Sequence, residues 1–152
     1  MIVHSVYIWH GVPFWANLHA MSTAQQIFLA YGTIILVVGF ALGAVLGTLR
    51  MKAPGIRNLA TAHVETLMQA SMHLGLAFAV GVVGFSSTAA TWGAALLVIG
   101  SGMQATGVTL NWITKTGDQF AERSPGWMIN SASTFVIMPG LFITAFGILT
   151  NL

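Results

Sequence analysis

The apolar stretch Ala62–Phe85 carries the side chains best suited to chemistry: His63, Glu65, Gln69 and His73. Glu65, Gln69 and His73 are spaced four apart, so on a helix they stack on one face, and His63 points away from it. A neutral imidazole can ligate haem iron or another metal. Because polar groups inside a membrane span are costly, their presence by default indicates function. The stretch therefore predicts a transmembrane helix with a functional polar face.

The residues alone leave two interpretations of these histidines open. Haem needs one proximal histidine, an apolar slot and small residues that make room, and His63 has such surroundings. A hydrogen-bonded structural histidine needs no cofactor and is the more common case. His73 is a poor second ligand to the same iron, because it lies about 15 Å along the helix from His63. We interpret His4, His10 and His19, which lack a helical ligand spacing, as plain interfacial histidines.

Several other chemistries lack the residues they require. The chain has no cysteine, which excludes thiolate catalysis, iron–sulfur clusters and thiolate-ligated haem. Glu65 is the only acid within a predicted span, so a paired-carboxylate mechanism has no second member. The only aspartate, Asp118, lies in a predicted loop without a nucleophile motif, which removes support for Ser-His-Asp hydrolysis. A net charge of only +2 indicates no nucleic-acid partner.

Composition indicates an integral membrane protein. The 152 residues are 56% hydrophobic and 5% charged, with a mean hydropathy of +0.83. Soluble domains carry about 25% charged residues, so this chain cannot cover a soluble surface. A membrane-spanning helix needs roughly 20 residues. We predict an all-α bundle of four transmembrane helices in a single integral membrane domain, with spans at about 24–49, 59–83, 89–113 and 127–149.

The remaining segments suggest how the bundle sits in the bilayer. The N-terminal stretch MIVHSVYIWHGVPFWANLH is aromatic and too short to span, so we expect it to lie at the membrane interface. The loop RMKAPGIRN contains three of the five basic residues, Arg50, Lys52 and Arg57. By the positive-inside rule this loop lies in the cytoplasm and both termini lie outside. We expect the cytoplasmic membrane of a bacterium.

Small residues recur at intervals that favour helix packing. Gly39, Gly43 and Gly47 form a GxxxGxxxG ridge on the first span. A second row, on the second span, is Ser71, Gly75 and Ala79. Such ridges let helix backbones approach closely in lipid, where apolar burial gives little drive to associate. Packing within one chain and contact between chains both fit this pattern.

The run AHVETLMQASMHLGLAFAVGVVGF resembles the second helix of the styrene oxide isomerase family, which are small four-helix membrane proteins. That family has an Ala-His pair, an Asn six residues later and a closing Gly-Phe. Here His63 matches the haem-ligating histidine, Gln69 stands where the family has its substrate-contacting Asn, and Gly84–Phe85 matches the closing pair. The segment GVTLNW resembles a Gly-Phe-Tyr-Leu segment of the third helix, with Gly107 and Leu110 matching.

The resemblance implies a homotrimer that binds ferric haem b through His63 between protomers. It also implies that a small apolar epoxide is isomerised to a carbonyl compound by Lewis-acid ring opening and a hydride shift. Gln69 would orient the epoxide oxygen, and apolar walls would keep water away. The family's catalytic tyrosine falls at Thr109, so Thr109 or Asn111 would replace it in part. The alternative is a non-catalytic haem-bearing or structural subunit of a membrane oxidase or electron-transfer complex.

Overall fold

The computed structural model describes residues 21–49, 56–119 and 121–152, and these residues fold into four long helices. The helices are α1 (Thr23–Thr48), α2 (Ile56–Val83), α3 (Thr88–Ile113) and α4 (Pro125–Thr150). All four are long and apolar enough to cross a membrane, and the described residues include no strand. The predicted all-α, four-helix membrane bundle is confirmed. The predicted interfacial N-terminal segment lies outside the described residues, as do Arg50 and Lys52.

Serine residues begin three of the helices. Ser22 and Gln25 form a capping box at α1, with Gln25 N donating to Ser22 Oγ at 3.3 Å and Ser22 N to Gln25 Oε1 at 3.0 Å. Ser87 Oγ accepts from Ala90 N at the start of α3, and Ser124 Oγ accepts from Trp127 N at the start of α4, ahead of Pro125. A serine side chain satisfies one of the backbone amides that a helix start leaves unpaired. These caps fix where α1, α3 and α4 begin.

Helices α1 and α2 form an antiparallel pair in which glycines of α1 lie directly against side chains of α2. A Cβ added at Gly39 would come within 2.7 Å of Leu67 Cδ2, and one added at Gly43 within 2.6 Å of His63 Cε1. A Cβ added at Gly47 would meet nothing within 4 Å. The first two members of the predicted ridge thus pack within the chain, whereas the third member takes no part in this contact.

Helices α3 and α4 form a second antiparallel pair, built on small residues at seven-residue intervals. The series on α3 is Gly93, Gly100 and Gly107, and the series on α4 is Gly126, Ser133, Gly140 and Gly147. A Cβ added at Gly140 would lie 2.8 Å from Leu97 N and 3.0 Å from Gly93 O, so the two backbones nearly touch. A seven-residue repeat keeps one face of each helix on its partner.

Helix α3 joins the two pairs. It packs against α1, α2 and α4, whereas α4 packs almost entirely on α3. One buried cluster includes Phe28, Val80 and Leu97, and a second, nearer the α3–α4 loop, includes Leu42 and Val108. A third cluster, of Ile35, Ala70 and Ala105, lies where α1, α2 and α3 meet.

Candidate functional site

His63 lies in the seam between α1 and α2, with its ring against Gly43. Its Nδ1 is 2.8 Å from Gly39 O. A carbonyl oxygen only accepts, so Nδ1 of the neutral ring carries the hydrogen and Nε2 carries the lone pair. No group of the described residues forms a hydrogen bond with Nε2, and the side chain is only half-buried. An imidazole held in this tautomer by a backbone carbonyl is prepared to ligate a metal through Nε2.

His63 has no companion ligands for a bare metal ion among the described residues. The described residues contain no group of three or more His, Asp or Glu side chains that could hold a metal ion. Haem requires as few as one protein ligand, because the porphyrin supplies the nitrogen donors that a bare metal ion would need from the protein. Gly47, one helical turn beyond Gly43, has open space where a side chain would project. The surface of α1 is therefore open one turn beyond the glycine on which the His63 ring packs.

His73 belongs to the core of the bundle. It is fully buried, and its Nδ1 lies 2.7 Å from Gln69 O. Its Nε2 is 3.5 Å from Ser101 Oγ, at the outer limit of a hydrogen bond. The rings of Phe28 and Tyr31 pack against it, with centroids 5.8 Å and 4.7 Å away. His73 therefore matches the description of a structural histidine, with both ring nitrogens facing atoms of the bundle.

Gln69 faces α3 and is 7% exposed. Its Nε2 lies 3.4 Å from Gln104 Oε1, and its own Oε1 is buried with no hydrogen-bond partner among the described residues. One oxygen of Glu65, a helical turn earlier, is likewise buried without a partner in the described part of the chain. Each of the two side chains therefore has one oxygen, within a membrane-spanning helix, that accepts no hydrogen bond from the described residues.

Thr109 lines a groove between α1 and α3, which we name the α1–α3 groove. The groove has a volume of about 380 Å³. Its lining residues are Ile35, Val38, Thr66, Gly102, Ala105, Thr106, Thr109, Leu110 and Ile113. The hydroxyl of Thr109 donates to Ala105 O at 2.7 Å, so its lone pairs remain free to accept. Neither His63 nor Gln69 lines this groove.

Asn111 anchors the loop between α3 and α4. Its Nδ2 donates to Gln119 Oε1 at 2.7 Å, and its Oδ1 accepts from Ser124 Oγ at 2.7 Å. The side chain is 1% exposed. Asn58 of α2 donates to Thr116 O at 2.6 Å and so ties the same loop to the first helix pair. Both ends of the Asn111 amide are therefore engaged in holding the loop.

The four predicted site residues occupy four places in one chain. His63 lies in the α1–α2 seam, Gln69 between α2 and α3, Thr109 in the α1–α3 groove and Asn111 in the loop network. The structure does not bring them together within a single chain. Tyr31 was not among the predicted site residues, although a phenol inside an apolar span is itself an available signal. Its Oη is buried without a partner among the described residues.

Comparison of the chain with protein-family models, with curated proteins and with solved structures finds no match. The resemblance to the styrene oxide isomerases therefore rests on the residues of α2 and α3 quoted above.

Proposed function

We propose that this protein binds haem b through His63 in the cytoplasmic membrane of a bacterium and isomerises a small apolar epoxide to a carbonyl compound. The observation that supports it most is the hydrogen bond from His63 Nδ1 to Gly39 O, which leaves Nε2 unpaired at a half-buried position. A second support is the Ala-His motif that His63 shares with the haem-ligating helix of the isomerase family.

The position of His63 favours a site completed by a second copy of the chain. The imidazole is half-buried at the edge of the α1–α2 pair, and no other predicted site residue contacts its ring. A cofactor held there by one chain would keep one face toward lipid. A homotrimer with haem between protomers, as the resemblance implies, would cover that face with apolar side chains.

Ferric haem, when bound, supplies a Lewis acid that polarises the epoxide C–O bond. The chain's own part is to hold the ligating imidazole in one orientation and to exclude water. The first task falls to Gly39, whose carbonyl fixes the ring, and to Gly43, on which the ring packs. The apolar helix faces serve the second task, because water would trap an opened epoxide as a diol. Gln69 is assigned as the group that orients the substrate oxygen, with Thr109 as a weaker alternative.

One observation favours a second candidate function. None of the predicted polar donors borders His63 in the single chain, and Gln69 is almost wholly buried. A haem-bearing subunit of a membrane oxidase or electron-transfer complex needs the iron ligand but no donor for a substrate. The two candidates share the haem and differ in whether the isolated protein turns over an epoxide.

Product analysis separates the two candidates. We expect the ferric protein, purified in detergent and incubated with styrene oxide or aliphatic epoxides, to form aldehydes or ketones detectable by gas chromatography. Reduction to ferrous iron is expected to abolish the product, because the reduced metal is the weaker Lewis acid. Loss of one positioned donor costs about 10²–10³ in rate, so Gln69→Leu should slow the reaction while the haem spectrum persists.

The control is free haem at the same concentration in the same detergent. If no carbonyl product exceeds that control, the isomerase proposal fails and the subunit interpretation replaces it.

A further inference from the structure

A polar cavity lies at one end of the bundle, between the start of α2, the end of α3 and the loop that follows α3. Its volume is about 470 Å³, and its polar lining residues are Arg57, Asn58, Thr61, Asn111, Asp118 and Gln119. Because α2 and α3 are long and apolar enough to cross a membrane, their ends lie near the boundary between lipid and water. We therefore name this feature the interfacial cavity.

The interfacial cavity carries one side chain of each charge. Arg57 and Asp118 both line it and both are exposed, so a molecule that enters the cavity can reach each of them. Asp118 Oδ1 accepts from Ala121 N at 3.1 Å, which holds the carboxylate in place, and a carboxylate has acceptor sites for further donors. The cavity therefore suits a polar group that combines an anion with a cation bearing N–H donors.

Hydrogen bonds between side chains and the loop hold the cavity in shape. Asn58 of α2 donates to Thr116 O at 2.6 Å, and Asn111 of α3 donates to Gln119 Oε1 at 2.7 Å. Asp118 lies between these two loop positions in sequence, so the same bonds keep it in one cavity with Arg57. The two charges are thus placed by the fold of three elements.

An apolar groove adjoins the interfacial cavity and follows the surface of α2. We name it the α2 groove, and its lining residues are Arg57, Ala60, Thr61, Val64, Glu65 and Met68. Arg57 and Thr61 line both features, so one molecule can occupy the two at once. Val64 and Met68 are 53% and 68% exposed, so this side of α2 is open to the lipid.

The α2 groove has the length of one leaflet of a bilayer. Arg57 and Met68 are eleven positions apart, which on a helix is about 16 Å along the axis. Half of the hydrocarbon core of a bilayer is about 15 Å. An acyl chain whose polar end lies beside Arg57 would therefore follow the groove to the middle of the membrane.

We propose that the interfacial cavity and the α2 groove together bind one molecule of phosphatidylethanolamine. The phosphate lies against Arg57, because a guanidinium matches phosphate oxygens in charge and geometry. The primary ammonium donates to the carboxylate of Asp118, and one acyl chain follows the α2 groove. His63 lines neither feature, so this proposal does not depend on the haem proposed above.

A lipid that merely coats the helix is the competing occupant. Any phospholipid can lay an acyl chain on Val64 and Met68, and its affinity would not depend on the two charges. A lipid bound in the cavity differs in one measurable property, which is selectivity for the headgroup.

The decisive comparison uses phosphatidylethanolamine, phosphatidylcholine and diacylglycerol with identical acyl chains. Phosphatidylcholine keeps the phosphate but has no N–H donor, and diacylglycerol has neither group. Native mass spectrometry of the delipidated protein in detergent measures the dissociation constant of the first lipid bound. At each step along this series the wild-type protein is expected to bind about two- to fivefold more weakly, the range of an exposed charge pair.

Two variants each remove one step of the series. Asp118→Asn is expected to bind phosphatidylethanolamine and phosphatidylcholine alike, while the asparagine oxygen still accepts from Ala121 N. Arg57→Gln is expected to bind phosphatidylcholine and diacylglycerol alike. Both positions are exposed, so we expect both variants to fold, and circular dichroism checks this. Partition of each lipid into detergent is the same for every variant, so it cancels.

Arg123→Gln is the matched control, because Arg123 is an exposed arginine of the same loop and lines neither the cavity nor the groove. It is expected to keep the wild-type preferences, as is Glu65→Gln, which removes the carboxyl group of the α2 groove. Equal affinity of the wild-type protein for the three lipids would overturn the proposal. So would a loss of phosphate preference in Arg123→Gln as large as that in Arg57→Gln.

A further pair of variants tests the position of the acyl chain. Ala60→Leu fills the α2 groove near its start, so it is expected to weaken all three lipids several-fold and to leave their order unchanged. Ala79→Leu, at another half-buried position of α2 that lines neither feature, is its control and should leave the affinities unchanged. Equal effects of the two would contradict the placement of the chain in the groove.

Discussion

The imidazole of His63 is positioned by two glycines of the neighbouring helix. Gly43 supplies the surface on which the ring lies, and Gly39 supplies the carbonyl that accepts from Nδ1. A larger residue at either position would occupy the space that the ring or the neighbouring side chains now fill. The same glycines therefore serve both helix packing and the orientation of the proposed iron ligand.

Gly43→Ala is expected to displace His63 and to destabilise the protein. Its Cβ would come within 2.6 Å of His63 Cε1, and overpacking of this kind costs about 1–3 kcal/mol. We expect a lower melting temperature together with reduced haem content. Gly47→Ala is the control, because its Cβ meets nothing within 4 Å and alanine favours a helix by at most about 1 kcal/mol over glycine. Equal melting temperatures of the two variants would show that Gly43 does not support the ring.

Residue spacing bears on only part of the candidate site. Thr109 and Asn111 are two residues apart, which on a helix is about 200°, so spacing alone implies that they cannot serve the same site. The partners that engage Asn111, Gln119 and Ser124, are set by the path of the α3–α4 loop, which no periodicity specifies. The acceptor for His63 Nδ1 depends on the register between α1 and α2, which is likewise set only by packing.

Within each helix pair, small residues set how closely the two axes approach. The α3–α4 pair is held by glycines whose added side chains would meet backbone atoms of the other helix. In lipid the apolar effect does not drive helices together, so close backbone contact and the dispersion energy it brings hold the pair. The pair forms one wall of the bundle and supports α3, which lines the α1–α3 groove on its other side.

Gly140→Ala is expected to separate α3 from α4. The added Cβ would lie 2.8 Å from Leu97 N, and a backbone atom cannot move aside as a flexible side chain can. We expect a loss of stability at or above the upper end of the roughly 1–3 kcal/mol typical of overpacking. Thermal melting followed by circular dichroism measures it, with Gly75→Ala as the matched control at an open position. A variant that melts with the control would contradict the close contact of the two backbones.

The sequence predicted where the helices lie along the chain better than it predicted which helices contact one another. Long apolar runs identify spans, because a bilayer demands about 20 consecutive apolar residues. The ridge on α1 was recognised, but the contact of Gly39 and Gly43 with α2 could not be told from a contact between chains. The seven-residue series of small residues on α3 and α4 is equally visible in the sequence, although our predictions do not use it. It is a direct signal, because small residues at this interval remain on one face of a helix.

At the scale of the whole molecule, the two helix pairs give the bundle two unlike sides. The α1–α2 pair carries the half-buried His63, and the α3–α4 pair packs closely along a row of glycines between its two helices. The α1–α3 groove lies where the pairs meet, and the polar side chains of Gln69 and His73 lie between α2 and α3. His63 in the α1–α2 seam and the α1–α3 groove are therefore separate features of one chain.

The absorption spectrum of the detergent-purified protein tests the central proposal, haem ligation by His63, most directly. We expect wild type to show a strong Soret band, His63→Ala to lose it, and His73→Ala to keep it, since His73 faces the core and not the seam. Circular dichroism on the same samples checks that each variant remains helical. A wild-type protein without a Soret band, or a folded His63→Ala variant with an undiminished one, would contradict the assignment.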